Sequence, residues 1–226
     1  RLDAQRLDAL DVDDSRHLHR QVIGQAGQRP VIGYVHLELA LMVVVLLFSI
    51  IVHEVAHGYV ALINGDPTAR MLGRITLNPV PHIDMVGTII LPLLLLISHA
   101  GILFGWAKPV PVNPLNYRNY RWGEFAVSAA GPVSNLVLAA AFSVVLRLGL
   151  ENPGLMQLAY YGVSINILLA LFNLIPIPPL DGSHILATLL PRDLARLYAH
   201  LEPVGFILIL VLFYSGVMSL VIMPIY

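Results

Sequence analysis

Two histidines and a glutamate stand at a spacing that suits metal-dependent hydrolysis. They form the run His53-Glu54-Val55-Ala56-His57 near the end of a long apolar stretch. On a helix the four-residue separation puts both imidazoles on one face, where both can reach a single tetrahedral zinc ion. Glu54 lies beside them and can take a proton from the attacking water. This pattern predicts the active site of a zinc hydrolase.

The alternative for this motif is two hydrogen-bonded histidines and a surface glutamate on an ordinary helix. Residues 39–52, directly before the motif, carry no charge. Ionisable groups inside a membrane helix are costly and mark functional sites by default. The apolar setting therefore favours the metal site over the ordinary helix.

A catalytic zinc needs a third protein ligand and an open position for water or substrate. The chain has no cysteine, so this ligand must be a histidine, an aspartate or a glutamate. The candidates are His82, Asp84, His99, Asp181 and His184. Asp181 follows a long apolar segment in a proline-rich turn, from which a carboxylate can approach a neighbouring helix. His82 and Asp84 are near the motif in sequence, so they could instead hydrogen-bond to the ligands and orient them.

The composition is that of a membrane protein. Hydrophobic residues make up 57% of the 226 residues and charged residues 12%, far from the averages of globular domains. We expect an all-α polytopic fold with about 4–6 transmembrane or membrane-embedded helices. The net charge of -1 and the lack of any basic run give no case for nucleic acid binding.

The apolar segments divide the chain into a polar N-terminal tail, residues 1–35, and a membrane-embedded domain, residues 36–226. Proline and glycine in residues 64–123 predict a short β or loop region between the first and third apolar segments. Residues 183–202 form an amphipathic, interfacial stretch. The apolar segments cover residues 37–63, 85–104, 125–150, 158–175 and 203–222.

The site constrains how these segments cross the membrane. The motif and Asp181 must lie at the same depth, so segments 37–63 and 158–175 must run in the same direction. Segment 85–104 then cannot be a single complete crossing, and we expect a re-entrant element bent at Pro92. Most of the arginines and lysines outside the tail fall on the motif's side, which predicts that this side is cytoplasmic.

Three motifs together resemble the site-2 proteases, zinc metalloproteases that cut membrane-spanning helices of their substrates. They are HEVAH at 53–57, AGPVSN at 130–135 and NLIPIPPLDG at 173–182, in order within residues 38–223. The FGWAKPVPVNP loop and the HIDMVGT stretch at 82–88 are similar to a compact prokaryotic subgroup without a PDZ domain. The chain departs from the pattern at Gly182-Ser183, where many members have two glycines.

The resemblance implies one zinc ion per chain, held by His53, His57 and Asp181. It also implies Glu54 as the general base and Asn173 as a polar group near the substrate or its oxyanion. The expected partners are a lipid bilayer and a transmembrane or signal-peptide substrate, and the expected location is the cell membrane.

A zinc-binding transporter or sensor without hydrolytic activity is the main alternative. Such a protein would need no glutamate at position 54, and a transporter would carry further polar residues along a path through the bilayer. A structural zinc site would instead close the fourth position with another ligand, for which His82 and His184 are candidates. The apolar segments carry no such path of further polar residues, which favours the protease.

Overall fold

The computed structural model describes residues 31–98 and 105–216. The chain divides after Leu41: residues 31–41 are the start of the first helix, and the residues from Met42 onward contain the site. The predicted tail lies almost entirely outside the described residues, although the first helix already begins at Val31. The assignment of residues 1–35 to a separate tail stays a prediction.

Eight α-helices cover most of the described residues. They are α1 (Val31–Ile63), α2 (Thr68–Met71), α3 (Leu91–Ile97), α4 (Tyr120–Arg147), α5 (Pro153–Asn173), α6 (Asp181–Leu189), α7 (Arg192–Ala199) and α8 (Glu202–Tyr214). One π-helix (Met85–Ile90) leads into α3, and two 3₁₀ turns cover Val80–His82 and Pro114–Asn116.

Three of these helices are long and apolar enough to cross a membrane. The candidate spans are Glu38–Ile63, Tyr120–Arg147 and Pro153–Asn173. Helices α7 and α8 meet at a bend of 67° and give a fourth span if the pair is taken as one. The protein is therefore an all-α, multi-pass membrane protein, as the composition predicts.

The short β region expected between the first and third apolar segments is absent from the described residues. Prolines 109, 111 and 114 have no N–H to donate, so this stretch cannot supply one partner of a regular ladder. Two of the remaining donors are used elsewhere: the Val110 N–H bonds to Glu54 and the Asn113 N–H to Asp66. The loop is thus held by side chains of other segments rather than by a strand.

The element from Met85 to Ile97 is too short to span a bilayer, and the chain returns to its start. The Trp106 N–H donates to the Gly87 carbonyl at 3.1 Å, and the Thr88 hydroxyl donates to the Trp106 carbonyl at 2.8 Å. Pro92, five residues after Gly87, has no N–H to complete the π-helical bond to that carbonyl, which leaves it free for Trp106. Gly87 and Trp106 are therefore neighbours, and the predicted re-entrant course of residues 85–104 stays a prediction.

Small residues let α4 pack closely against α5 and α6. A Cβ atom at Gly162 of α5 would lie 2.3 Å from the Phe142 ring of α4, so only glycine fits there. Close backbone approach of this kind is how membrane helices gain packing energy, since lipid supplies no hydrophobic force between them. It brings Asn135 of α4 and Asn166 of α5 within hydrogen-bonding distance.

Candidate metal centre

Helix α1 and the start of α6 bring together three of the side chains that the sequence singled out. His57 Nε2 lies 3.0 Å from His53 Nε2. The Oδ2 atom of Asp181 lies 3.1 Å from His53 Nε2 and 3.4 Å from His57 Nε2. Two ligands one helical turn apart and a third from a distant segment form a near-equilateral triangle of possible metal ligands.

The turn between α5 and α6 places Asp181. Asp181 is the first residue of α6, whereas the sequence predicts a position within the proline-rich turn just before it. A Cβ atom at Gly182 would lie 2.2 Å from the Leu174 carbonyl oxygen, so glycine allows α6 to start directly against the end of α5. Ser183, where the family resemblance leads us to expect a second glycine, is buried and donates its hydroxyl to the Leu180 carbonyl at 2.7 Å.

Hydrogen bonds at the Nδ1 atoms decide which ring nitrogens face the triangle. His53 Nδ1 lies 2.6 Å from the Asn135 side-chain oxygen, and His57 Nδ1 lies 2.7 Å from the Val127 carbonyl oxygen. Both partners are oxygens that only accept, so in each neutral ring the Nδ1 atom carries the proton. Both Nε2 atoms therefore present lone pairs to the centre, as metal-ligating histidines do.

These residues fit a zinc ion. With both Nε2 atoms unprotonated, no hydrogen bond joins the three ligand atoms, and Asp181 Oδ2 is buried without a hydrogen-bond partner among the described residues. Three converging lone pairs repel one another unless a cation lies between them. Ligands about 2.0–2.1 Å from a tetrahedral zinc are about 3.3–3.4 Å apart, close to the observed distances.

Gly131 of α4 makes room for the two imidazoles. A Cβ atom at this position would lie 2.4 Å from the His53 ring and 2.5 Å from His57 Nε2. The glycine of the AGPVSN motif is therefore required by contact with both histidines.

Glu54 is held by the proline-rich loop that carries Val110. Its Oε2 atom accepts the Val110 N–H at 2.7 Å. The next turn of α1 packs on the same loop, since a Cβ atom at Gly58 would lie 2.9 Å from a Val110 methyl carbon. One carboxylate oxygen is thus fixed against the loop.

The other ligand candidates do not join the triangle. His82 is buried, but its Nε2 atom donates to the Thr76 carbonyl at 2.9 Å. Asp84 accepts the N–H groups of Val86 and Gly87 at the start of the π-helix. His184 pairs with Glu124, Nδ1 to Oε1, at 3.0 Å. His99 lies outside the described residues, and within them the group holds only His53, His57 and Asp181.

Asn173 ends α5, and its amide nitrogen donates to the Leu169 carbonyl at 3.0 Å. The structure thus places it just before the turn that leads to Asp181. Its predicted role toward the substrate stays a prediction.

Sequence reasoning missed the groups that orient the ligands. Asn135 lies in the AGPVSN motif, but nothing in the sequence pairs it with His53. Asn166, which bonds to Asn135, lies in an apolar segment, and this isolation was a usable signal because polar residues there are rare. The Val127 carbonyl and the Val110 N–H are backbone groups, and no residue type marks them.

Long apolar helices around two histidines and one aspartate, with a glutamate in the same motif, define a membrane-embedded zinc hydrolase. The family comparisons agree. Residues 150–212 match the model of Peptidase family M50. The chain is 42% identical over 203 residues to the "Putative zinc metalloprotease YwhC" of Bacillus subtilis, which covers 84% of this chain and 89% of that relative.

Two further relatives carry the same kind of name. The "Putative zinc metalloprotease Rip2" of Mycolicibacterium smegmatis is 33% identical over 178 residues, covering 74% of this chain and 63% of that protein. The "Putative zinc metalloprotease sll0528" of Synechocystis is 33% identical over 153 residues, covering 67% of this chain and 32% of that protein. No solved structure matches the chain.

The chain belongs to peptidase family M50, the site-2 proteases. It is an intramembrane zinc metalloprotease, and the comparisons do not favour a transporter or sensor.

Proposed function

We propose that the protein is an endopeptidase that hydrolyses peptide bonds in or near transmembrane helices of membrane proteins or signal peptides. In this proposal His53, His57 and Asp181 hold one zinc ion and Glu54 is the general base. The observation that carries it is the convergence of both Nε2 atoms and the Asp181 Oδ2 atom within 3.0–3.4 Å of one another, while each Nδ1 atom faces an oxygen that only accepts.

The chemistry divides between the metal and Glu54. When bound, zinc polarises the scissile carbonyl and makes a water molecule more acidic. Glu54 takes the proton from the attacking water and delivers it to the leaving amine, so the site returns to its starting protonation state. The Val110 N–H bond holds one oxygen of this carboxylate and orients the other for the transfer.

Asn173 is proposed as a donor to the oxyanion that develops on the scissile carbonyl. Its position at the end of α5, next to the turn that carries Asp181, supports this role. The amide nitrogen donates one proton to the Leu169 carbonyl and has a second N–H that can donate to substrate.

Substrate must reach this site in an unwound form. A peptide bond inside a helix is shielded by the helix's own hydrogen bonds and by lipid, where backbone groups stay paired. We place the enzyme in the cell membrane with its active site toward the cytoplasm, following the positive-inside distribution of charges.

The test is Glu54→Gln in purified protein in detergent, assayed with a single-span substrate. Glutamine keeps an oxygen that accepts the Val110 N–H but cannot act as a base, so cleavage should fall by about 10²–10⁴-fold while zinc stays bound. Glu151→Gln, an exposed change of the same kind, serves as the matched control. Wild-type cleavage by Glu54→Gln, or loss of zinc together with cleavage, would contradict the proposal.

A further inference from the structure

Three polar side chains from three candidate spans meet in the interior next to His53. They are Ser49 of α1, Asn135 of α4 and Asn166 of α5, and each has 0% of its surface exposed. Burying such groups among apolar helices is costly unless they are hydrogen-bonded. Their bonds form one connected chain that ends on His53.

The donor and acceptor order along these hydrogen bonds is fixed at the Asn166 end by a backbone carbonyl. The Asn166 amide nitrogen donates to the Gly162 carbonyl and to the Ser49 hydroxyl, each at 2.8 Å. A carbonyl oxygen only accepts, so the NH₂ end of the Asn166 amide must face Gly162. The oxygen of the same amide must then face Asn135.

The next two contacts follow from the first. Because the Asn166 oxygen only accepts, Asn135 must present its nitrogen to it, and the two atoms are 2.8 Å apart. A second, longer contact of 3.4 Å to the Ser49 carbonyl favours the same orientation of the Asn135 amide. The Asn135 oxygen is left facing His53 Nδ1, which must therefore carry the proton.

The two histidines differ in this respect. The Nδ1 proton of His57 is held directly by a backbone carbonyl, that of Val127, which cannot turn round. The Nδ1 proton of His53 is held by a side-chain amide, whose oxygen and nitrogen exchange places on a half-turn. An asparagine at this position keeps the correct orientation only if its other end is paired.

We propose that Asn166 is a positioning residue for the metal centre: it fixes the amide orientation of Asn135 and so keeps the Nε2 lone pair of His53 on the metal side. The proposal rests on the ligand role proposed above for His53. Residues that orient metal ligands in this way typically change metal affinity by about 10–100-fold when replaced.

The test compares two changes within the same buried cluster. Asn166→Leu keeps a similar volume but removes the acceptor for Asn135, so zinc affinity measured by chelator competition should fall by about 10–100-fold. Ser49→Ala removes one hydrogen bond to Asn166 but leaves the Gly162 carbonyl to orient it, so zinc affinity should stay within about threefold of wild type. If Asn166→Leu does not fold, Asn166→Ala replaces it, because alanine fits the same space and likewise leaves Asn135 without its acceptor.

A second readout needs neither zinc nor activity. Histidine ¹⁵N spectra of the metal-free protein report which ring nitrogen carries the proton. We expect Asn166→Leu to introduce the other tautomer at His53 and to leave His57 unchanged, with Ser49→Ala like wild type at both rings.

Unchanged affinity and tautomer in Asn166→Leu, or equal losses in Ser49→Ala, would overturn the proposal. Zinc retained by His53→Ala would instead contradict the ligand role of His53, so the two failures are distinguishable.

Discussion

At the scale of single residues, proton positions distinguish this centre from a cluster of hydrogen-bonded polar groups. His53 and His57 each direct the protonated nitrogen away from Asp181, toward an oxygen that only accepts. When both rings are neutral, the carboxylate oxygen of Asp181 therefore has no hydrogen to accept from either of them. A site built this way is ready for a cation and unfavourable without one.

The ligand set predicts how zinc content changes with substitution. His53→Ala and His57→Ala should abolish cleavage and lose most of the zinc, since each removes a neutral nitrogen ligand. Asp181→Ala should abolish cleavage with a smaller loss of zinc, because two imidazoles and water can still hold the ion weakly. His184→Ala is the control and should keep its zinc, since His184 pairs with Glu124 instead. Zinc per chain after dialysis measures this, and full activity in Asp181→Ala would remove that residue from the site.

Asn173 is expected to affect turnover more than metal. Asn173→Ala should lower kcat by an amount that corresponds to about 2.7–4 kcal/mol, the loss typical of one oxyanion donor. Steady-state cleavage together with zinc analysis checks this. If the variant loses zinc as completely as His53→Ala, its role is structural and the prediction is wrong.

At the scale of elements, one buried carboxylate just after α1 anchors the proline-rich loop that carries Val110. Asp66 is fully buried and accepts the Asn113 N–H at 2.6 Å and the Asn116 amide at 2.8 Å, besides two donors of Thr68. This fixes residues 113–116 against the end of α1, and the same loop carries Val110, which bonds to Glu54. Glu54 is therefore held by a loop whose own anchor is Asp66.

This anchor predicts a dependence of stability on pH. Burial by itself raises the pKa of Asp66, but hydrogen bonds from Asn113, Thr68 and Asn116 outweigh it, so the pKa lies below its usual value. A carboxyl with a lowered folded-state pKa contributes stability that is complete above its unfolded pKa of about 3.9 and is lost as the pH falls through the folded value.

Thermal melting in detergent between pH 6 and pH 3 measures this contribution. Asp66→Asn should reduce the loss of stability on acidification, and at neutral pH Asp66→Ala should destabilise the fold by about 1–3 kcal/mol through unsatisfied donors. Asp193→Asn, at a side chain that is 95% exposed, is the control and should melt like wild type. An Asp66→Asn variant with an unchanged pH profile would contradict the assignment.

At the scale of the whole molecule, the predicted re-entrant element sets the topology. Because Gly87 and Trp106 are hydrogen-bonded, we expect the residues before and after this element to emerge on one side of the membrane. If α4 and α5 then cross in turn, α1 and α5 run in the same direction, and the end of α5 delivers Asp181 to the depth of the two histidines.

Labelling of single cysteines tests this topology in a chain that has none of its own. Met71→Cys and Leu115→Cys, at positions 79% and 87% exposed, should react with a membrane-impermeant reagent from the same face. Leu148→Cys, beyond the end of α4, should react from the opposite face. Labelling of positions 71 and 115 from opposite faces would show a full crossing in residues 85–104 and exclude this arrangement. The positive-inside rule predicts that the shared face is cytoplasmic.

Much of this protein is determined by its sequence. Long uncharged runs can only satisfy their backbone within a bilayer as helices, so the all-α membrane fold follows from composition. The spacing of His53 and His57 is local to one helix, and their shared face follows from helical geometry alone. Asp181 was one candidate among several by residue type, and family resemblance singled it out.

The tertiary structure decided what depends on contacts between distant segments. His82 and His184 are as suitable as Asp181 by chemistry, but their segments fold against Thr76 and Glu124. The expected β region fails because the donors of a proline-rich loop are taken by Glu54 and Asp66, carboxylates more than 40 residues earlier. The tautomer of His53 depends on Asn166 and Gly162, more than 100 residues away along the chain, and only the packing of three helices brings them together.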